Sequence, residues 1–440
     1  MEKMNSTSST ILLGKKHQTT DFTYYHSTRN PSLLLPQLTN NKETDICVIG
    51  GGLTGVSVAL NLAEKGHAVI LLESQDIGHG ASGRNGGQLV HGFSCDMDVI
   101  RKQVGYEDSK VFWGMAVEAV EEVDRRIALH KITCSRRLGY IFAATNSAQF
   151  HNLKKINKEL HDIYNYEETE ILEQAALKKW VRTERYIGGL LDKGSGQLHS
   201  LNYLQGLTSA AISAGVQVFE NSEVKHVVTG NNITIQTDLG SVKAKALVLA
   251  GNAYLDNLQK TLQKKIVRIN SSIGVTTKLS SRQIDKILPG KAAVADCNNI
   301  LDYFRVTPDN RLLFGAGANY LGQETKDIKA FIRQHISKLF PQLGDFDIEY
   351  AWNGFIAGTR NQIPEIGCIE SNIYVAQGFS GHGLALTGLA GILISEKISG
   401  LSKRFDMFSR ITHYDMPQPP FRNTLLTMVM IMNKLQDRIR

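Results

Sequence analysis

The sequence lacks the features that mark several large classes of protein. No stretch reaches the roughly 18 consecutive apolar residues that indicate a membrane-spanning helix. The early run Ile11–Leu13 is far too short for the apolar core of a signal peptide. No basic stripe with interleaved aromatic residues is present, which argues against a nucleic-acid partner. The net charge of +7 is not concentrated in runs, so an anionic substrate or a weak attraction to a membrane surface stays open.

Cysteine is scarce and scattered. The five residues are Cys47, Cys95, Cys134, Cys297 and Cys368, and no two of them form a CxxC pair. Such a set is typical of reduced thiols in a cytosolic protein and argues against a disulfide framework or a zinc site. The histidines show no metal-ligand spacing either. We therefore expect a cytoplasmic protein without a bound metal.

Strand-like and helical segments alternate along the chain, which predicts an α/β fold of two or three domains. Ser109–His130 has helical periodicity, and Lys245–Tyr254 begins as an apolar strand that ends on glycine. Leu301–Gly317 is typical of a hairpin, with a proline at its turn. Asn372–Ile398 predicts a strand, a glycine turn and a helix.

The stretch "VIGGGLTGVSVALNLAEKGHAVILLE", Val48–Glu73, carries the clearest motif. Gly50, Gly52 and Gly55 form GxGxxG between an apolar strand and a helix, an arrangement that binds a pyrophosphate at the helix N-terminus. Glu73 ends the next strand, where a carboxylate can accept both hydroxyls of an adenosine ribose. The element indicates an ADP-containing cofactor, and NAD and FAD fit it equally.

A second glycine-rich segment, "GHGASGRNGGQLV", covers Gly78–Val90. With so many glycine and polar residues, this segment cannot form a hydrophobic core. It can bring backbone N–H groups and the side chains of Ser82, Arg84, Asn85 and Gln88 to a polar ring or its phosphates.

These motifs, together with a midchain strand ending in "AGNAY" and a late "GFSGHG", make residues 22–420 resemble the D-amino-acid-oxidase-like family of FAD enzymes. Within that family the sequence is most similar to the gamma-glutamylputrescine oxidases. The resemblance implies a Rossmann-like, glutathione-reductase-like FAD-binding domain with an inserted mixed-sheet α+β substrate domain. The implied division is a flexible arm at 1–25, FAD-binding segments at 44–93, 196–252 and 366–403, substrate-domain segments at 94–195 and 253–365, and a tail at 404–440.

The resemblance also implies which residues hold FAD. Val224 would contact the adenine through its backbone, Gly251 and Asn252 would close over the pyrophosphate or the flavin, and the turn at Gly381–Gly383 would place a helix N-terminus near the pyrimidine end of the ring. The full implied set is Gly50, Gly52, Leu53, Thr54, Gly55, Glu73, Ser82, Gly83, Arg84, Asn85, Gly87, Gln88, Val224, Gly251, Gly381, His382, Gly383 and Leu384.

The implied reaction transfers hydride from a C–N bond to flavin N5, after which oxygen takes the electrons and forms hydrogen peroxide. Relatives that bind small amino acids carry an arginine where this chain has Phe355 and Ile356, and sarcosine oxidases carry a lysine where it has Ala385. An uncompensated buried carboxylate costs several kcal/mol, so an alkylamine such as a gamma-glutamylated polyamine fits better. No cysteine occurs near Ala351–Trp352, where sarcosine oxidases anchor their flavin, which implies non-covalent FAD.

His382, Tyr303 and Arg305 are the candidate catalytic residues. Leu301, Tyr303 and Arg305 share one face of a strand by its period of two; if this face lines the cavity, Tyr303 forms a wall and Arg305 binds a remote carboxylate. A structural role for Arg305, and a relocated clamp at Arg360, stay open.

Three other functions remain as alternatives: an amino-acid dehydrogenase of the glycine, sarcosine or D-amino-acid type that reduces a quinone, a flavin-binding protein without activity, and an NAD dehydrogenase. The segment Thr424–Arg440 is apolar and then basic. It indicates either a helix packed on the protein or a partner, or a helix on a membrane surface.

Overall fold

A computed structural model describes residues 23–31, 33–255, 258–417 and 421–439. The helices within these ranges are α1 (Tyr24–Thr28), α2 (Leu53–Glu64), α3 (Met97–Val104), α4 (Tyr106–His130), α5 (Ser147–Asp162), α6 (Gln174–Leu177), α7 (Ser200–Ser213), α8 (Lys260–Gln263), α9 (Ser281–Ile287), α10 (Ile328–Leu339), α11 (Gly383–Ile398), α12 (Lys403–Ser409) and α13 (Phe421–Ile439). Short 3₁₀ turns occur at Ala81–Gly83, Asn252–Tyr254 and Pro341–Leu343.

The strands form two sheets. They are β1 (Lys42–Ile49), β2 (Val69–Leu72), β3 (Gln88–Leu89), β4 (Arg137–Ala144), β5 (Thr169–Glu173), β6 (Gly188–Gln197), β7 (Gln217–Phe219), β8 (His226–Val228), β9 (Ile233–Gln236), β10 (Ser241–Leu249), β11 (Ile266–Thr276), β12 (Ala293–Asp296), β13 (Tyr303–Val306), β14 (Leu312–Asn319), β15 (Ile348–Thr359), β16 (Glu365–Glu370) and β17 (Ile373–Gln377).

The first sheet has the order β16-β17-β10-β1-β2-β7, with β9 and β8 continuing from β10. Strands β17, β10, β1, β2 and β7 run parallel to one another. The residues of β2 and the second half of β1 are buried, as expected for parallel strands that are covered on both faces. This sheet with its crossover helix α2 confirms the Rossmann-like α/β fold.

The second sheet has the order β15-β11-β14-β13-β12-β4-β6-β3, with β5 beside β6. Most of its pairs are antiparallel, and β12 pairs with β4 in parallel. This mixed sheet agrees with the mixed-sheet α+β substrate domain that the family resemblance implies. The predicted hairpin is present as β13 and β14, which turn at Asn310 with φ +60°.

The domain boundaries stay a proposal, supported by the origin of the first sheet's strands in three separate parts of the chain. One strand differs from the expectation, because β3 falls in an FAD-binding segment but pairs with β6 in the second sheet. Residues 1–22 of the predicted arm lie outside the described residues. Tyr24 and Tyr25 are buried, so these two do not belong to a flexible arm.

Among the residues that the structure describes, no single helix combines the length and apolar character needed to cross a membrane. Helices α11 and α12 reach the required length and apolar character only when they are counted as one segment, and the chain bends by 114° between them.

Candidate active site

The first glycine turn brings three backbone segments close together. Gly50 has φ +114°, and a Cβ at this position would lie 2.8 Å from the carbonyl oxygen of Ala250. A Cβ on Gly55 would lie 1.9 Å from the carbonyl oxygen of Gly50, which is far inside van der Waals contact. Only glycine permits this packing, and it places the N-terminus of α2 at the ends of β1 and β10.

Glu73 is held at this turn by backbone amides. Its Oε2 accepts a hydrogen bond from Gly51 N at 2.6 Å, and its Oε1 accepts from Gln75 N at 2.9 Å and from Ser74 Oγ at 3.0 Å. These hydrogen bonds therefore hold the Glu73 carboxylate beside the backbone amides of the glycine turn. This is the residue that the sequence predicts to bind the hydroxyls of an adenosine ribose.

The segment Gly78–Val90 lies against the same turn and is braced by its own polar groups. Ser82 Oγ accepts from Leu53 N at 2.9 Å, at the start of α2. Asn85 donates to Ser200 Oγ at 2.8 Å and accepts from Gly87 N at 2.7 Å. These bonds hold the segment in one conformation beside the helix N-terminus.

Arg84 connects this segment to the second sheet. Its Nε donates to His79 O at 2.9 Å, and its own carbonyl oxygen accepts from Trp352 Nε1 at 2.9 Å. Trp352 is fully buried, so its indole positions the loop from the interior, and Trp352 is a packing residue.

The second glycine turn precedes α11. Gly381 has φ +100°, and His382 is the N-cap of the helix, which has no side-chain hydrogen bond capping it. Asn252 Oδ1 accepts from Gly378 N at 2.9 Å and so ties this turn to the end of β10. Burial lowers the pKa of His382 to about 4, so its imidazole is neutral at pH 7.

Both turns open on one cavity of about 3120 Å³. Its lining includes most of the residues that were predicted to hold a cofactor, namely Gly50, Gly52, Leu53, Thr54, Glu73, Ser82, Arg84, Asn85, Gln88, Val224, Gly251, Gly381, His382, Gly383 and Leu384. Their roles stay predictions. The structure therefore brings together the early and late glycine turns, which are more than 300 residues apart in the chain.

Gly55, Gly83 and Gly87 do not line this cavity. A Cβ on Gly83 would lie 2.3 Å from Gly78 O, and one on Gly87 would lie 2.4 Å from Leu198 O. That these three glycines contact a cofactor stays a prediction; the structure gives each of them a packing role, because each permits a close approach between two backbones.

The wall contributed by the second sheet is largely apolar. It includes Leu301, Tyr303, Phe355 and Ile356. Burial raises the pKa of Tyr303 to about 12, so its phenol stays protonated, and its oxygen lies 3.3 Å from Ser271 Oγ.

Arg305 is directed away from the cavity. It is 2% exposed, its Nε donates to Gly86 O at 2.7 Å, and its guanidinium donates to Tyr25 OH at 3.0 Å and to Gln197 Oε1 at 3.5 Å. It is absent from the cavity lining. These contacts favour the structural alternative for Arg305 over the predicted role in binding a substrate carboxylate. The cavity ends between Tyr303 and Arg305, and Arg305 braces the Gly86–Gly87 backbone instead.

Sequence reasoning missed a cation in the wall. Arg268 of β11 lines the cavity, and its guanidinium lies 4.7 Å from the ring centre of Phe355 and 5.3 Å from that of Tyr254. No local signal marks this residue, since Arg268 and Phe355 meet through the pairing of β11 with β15 and Tyr254 comes from a separate 3₁₀ turn. Arg360 also borders the cavity, but it is exposed and lies over Tyr414.

Two groups of titratable side chains at the cavity were also missed. His91 Nδ1 lies 3.1 Å from Asp192 Oδ2, and both residues are buried. Burial, with the neighbouring Asp302, raises the pKa of Asp296 to about 7. A carboxyl group with this pKa exchanges protons near neutral pH.

The comparisons with known proteins agree with this geometry. The family model described as "FAD dependent oxidoreductase", abbreviated DAO, matches residues 45–397. Gamma-glutamylputrescine oxidoreductase from Escherichia coli is 38% identical over 395 residues, which is 90% of this chain and 92% of that protein. A probable oxidoreductase from Haemophilus influenzae, OrdL, is 40% identical over 390 residues, 88% of this chain and 90% of that protein.

Solved structures show the same fold at low identity. Glycine oxidase from Geobacillus kaustophilus superposes with a TM-score of 0.70 at 21% identity, covering 85% of this chain and 100% of that one. L-proline dehydrogenase from P. horikoshii gives a TM-score of 0.69 at 22% identity, covering 83% and 96%.

Proposed function

The chain belongs to the DAO family of FAD-dependent oxidoreductases, and from this premise we propose that it oxidises a gamma-glutamylated polyamine or a similar alkylamine. It is an enzyme that acts on CH–NH or CH–NH2 donors. One observation carries the choice of substrate: the apolar residues Phe355 and Ile356 line the cavity, at the positions where the family resemblance implies a cation in enzymes that bind small amino acids. The printed name of the relative from Escherichia coli points to the same class of amine.

The residues around the cavity fit FAD. Two helix N-termini, those of α2 and α11, open on it without side-chain caps on their N-cap residues, and such ends favour phosphate and developing negative charge. A Cβ on Gly52 would lie 2.9 Å from Ser82 Oγ, so glycine at this position lets Ser82 come close enough to accept from Leu53 N. Glu73 supplies a carboxylate for the ribose. When bound, the flavin accepts a hydride from the substrate carbon next to nitrogen.

Non-covalent binding of FAD is supported by the state of the cavity thiols. Cys95 and Cys297 border the cavity, and burial raises the pKa of each to about 12. A thiol forms covalent bonds as its thiolate, which these residues do not supply at neutral pH. Acid precipitation of the purified protein should therefore release all of its yellow colour into the supernatant.

The apolar wall acts on the substrate amine. Burial disfavours the charged form of an amine, so Phe355 and Ile356 favour the neutral amine whose lone pair assists C–H cleavage. The wall also excludes water from the reacting carbon. Tyr303 stays protonated, so it does not act as a base.

Arg268 replaces Arg305 as the proposed partner of the gamma-glutamyl carboxylate. It is half-buried in the cavity wall and stacks on Phe355, so a carboxylate at its guanidinium would place the rest of the substrate along the apolar surface. A guanidinium binds a carboxylate through two parallel hydrogen bonds.

The deciding experiment is anaerobic reduction of the flavin by a panel of amines, followed at its absorbance near ~450 nm. Gamma-glutamylputrescine should bleach the flavin, while glycine and sarcosine should not; the reverse result would overturn our interpretation of Phe355 and Ile356. We propose oxygen as the acceptor, so aerobic turnover should yield hydrogen peroxide in equal amount to the amine consumed. Turnover with a quinone but without oxygen uptake would instead support the dehydrogenase alternative.

Arg268→Met tests the carboxylate partner. The loss of a charge-assisted bond should raise KM for gamma-glutamylputrescine about 10- to 100-fold and leave KM for putrescine, which has no carboxylate, nearly unchanged. The matched control is Arg333→Met, which removes another arginine stacked on a phenylalanine, Phe346, away from the cavity. Equal rises in KM for both amines would show that Arg268 has only a structural role.

A further inference from the structure

The C-terminal helix α13 lies across the rim of the cavity. Leu425, Leu426 and Val429 contribute to the cavity lining. At the other end of the helix, Asp437 accepts hydrogen bonds from the backbone N–H groups of Asn299 and Ile300 at 2.9 and 3.1 Å. These contacts fix which side of the helix faces the protein.

The opposite side of α13 is apolar and faces solvent. Phe421, Leu425, Met428 and Met432 are 75%, 46%, 54% and 57% exposed. Their spacing of i, i+4, i+7 and i+11 places them in one stripe along the helix. The side of the helix that faces the protein also carries apolar residues, Leu426 and Val429. Packing on the protein therefore covers only part of the apolar surface of α13 and leaves the outer stripe in contact with water.

The charges of the segment identify what covers this stripe. The sequence 421–440 carries Arg422, Lys434, Arg438 and Arg440 but a single acid, Asp437. That acid is engaged with the Asn299–Ile300 backbone on the inward side. An exposed apolar stripe in a segment with excess positive charge matches the two components of an anionic lipid surface, the acyl boundary and the headgroups.

The length of the helix shows how it would meet a bilayer. Its apolar part, Asn423–Met432, has ten residues, whereas crossing the hydrocarbon core takes about 20. The helix can therefore lie in the interface but cannot span it.

We propose that α13 docks on an anionic membrane surface and holds the cavity rim against the headgroup region. The Phe421–Met432 stripe enters the boundary between headgroups and acyl chains, and the excess positive charge of the segment attracts it to anionic headgroups. Because Leu425 and Val429 belong both to the exposed surface and to the cavity lining, docking removes this part of the rim from water. The proposal depends on the surface of α13 alone and is independent of which amine the enzyme oxidises.

The test is co-sedimentation of the flavin-loaded full chain with vesicles of phosphatidylglycerol and phosphatidylcholine in equal parts, compared with pure phosphatidylcholine. The protein should bind the anionic vesicles, bind the neutral ones much more weakly, and lose affinity as salt increases. Met428→Asp should weaken binding to anionic vesicles about 10-fold or more, because a charge replaces a side chain that enters the apolar boundary.

Thr427→Asp is the matched control. It adds the same charge one residue away, at an exposed position outside the stripe, and should weaken binding only about 2- to 3-fold through the added negative charge. Equal effects of the two variants, or no binding of the parent protein to anionic vesicles, would overturn the proposal. Gel filtration with light scattering tests whether a second copy of the chain covers the stripe instead. If the protein is a dimer that Met428→Asp dissociates, and if it does not bind vesicles, the stripe is a dimer interface and the proposal is wrong.

Discussion

Replacing Gly55 by alanine adds one methyl group at the closest backbone contact of the cofactor turn. The new Cβ would lie 1.9 Å from Gly50 O, 3.1 Å from Gly50 C and 3.2 Å from a methyl group of Val48. Real Cβ atoms essentially never come within 3.0 Å of another heavy atom, so the gap must widen by about 1 Å. None of these neighbours is the end of a flexible side chain that could move aside, and the N-terminus of α2 must therefore shift away from β1.

The size of the effect follows from this displacement. Overpacking of this kind costs about 1–3 kcal/mol, and the helix preference of alanine over glycine returns only about 0.5–1 kcal/mol. The effect on the cofactor is larger, because a shift of about 1 Å breaks hydrogen bonds from helix amides to a phosphate. Each charge-assisted bond is worth about 1.5–3 kcal/mol, so the loss of one weakens FAD binding about 10- to 100-fold.

The assay is the ratio of flavin to protein absorbance after purification, together with the melting temperature of apoprotein and FAD-loaded protein. Gly114→Ala is the matched control, since Gly114 lies in α4 with open space around its Cβ position. That variant should keep wild-type FAD content and gain slightly in stability. A Gly55→Ala protein with wild-type flavin content and melting temperature would refute the packing argument.

Three further substitutions test other parts of the structure. Burial lowers the pKa of His199 to about 3, so the unfolded chain takes up this proton before the folded protein does. The free energy of unfolding should therefore fall as pH drops below about 6.5, by roughly 1.4 kcal/mol per pH unit. His199→Asn keeps a cap for α7 and should make the urea midpoint depend less on pH between pH 7 and pH 5; an unchanged slope would contradict this. A Cβ on Gly315 would lie 2.0 Å from the Tyr303 ring, so Gly315→Ala should push the ring into the cavity and raise KM for the amine about 10-fold. Tyr303→Phe keeps the ring and should change KM less than about 3-fold. A larger effect of Tyr303→Phe than of Gly315→Ala would show that the hydroxyl, and not the position of the ring, determines KM.

The sequence alone determined the features that arise within a short stretch of chain. The run from Val48 to Glu73 contains its own strand, glycine turn, helix and second strand, so spacing sufficed to predict an anion-binding helix N-terminus there. The hairpin formed by β13 and β14 was equally local. The family resemblance added the late turn at Gly381, and the structure places it on the same cavity as Gly50.

Only the tertiary structure decided which side chains face the cavity. Tyr303 and Arg305 share a strand face by period, yet the cavity ends between them. Arg268 stacks on Phe355 because β11 pairs with β15, and the pairing of β11 with β14 contains an irregularity between Asn270 and Ser272 that interrupts the alternation of side chains. Register is a long-range property, and a shift of one residue reverses the face of every side chain.

The orientation of α13 has the same origin. Its sequence determines that a helix rich in apolar residues forms, but not which side of that helix meets the protein. The bonds from Asn299 and Ile300 to Asp437 turn the stripe outward, and these partners are more than 130 residues apart in the chain. Local periodicity describes the shape of an element, whereas its facing depends on contacts that exist only after the chain has folded.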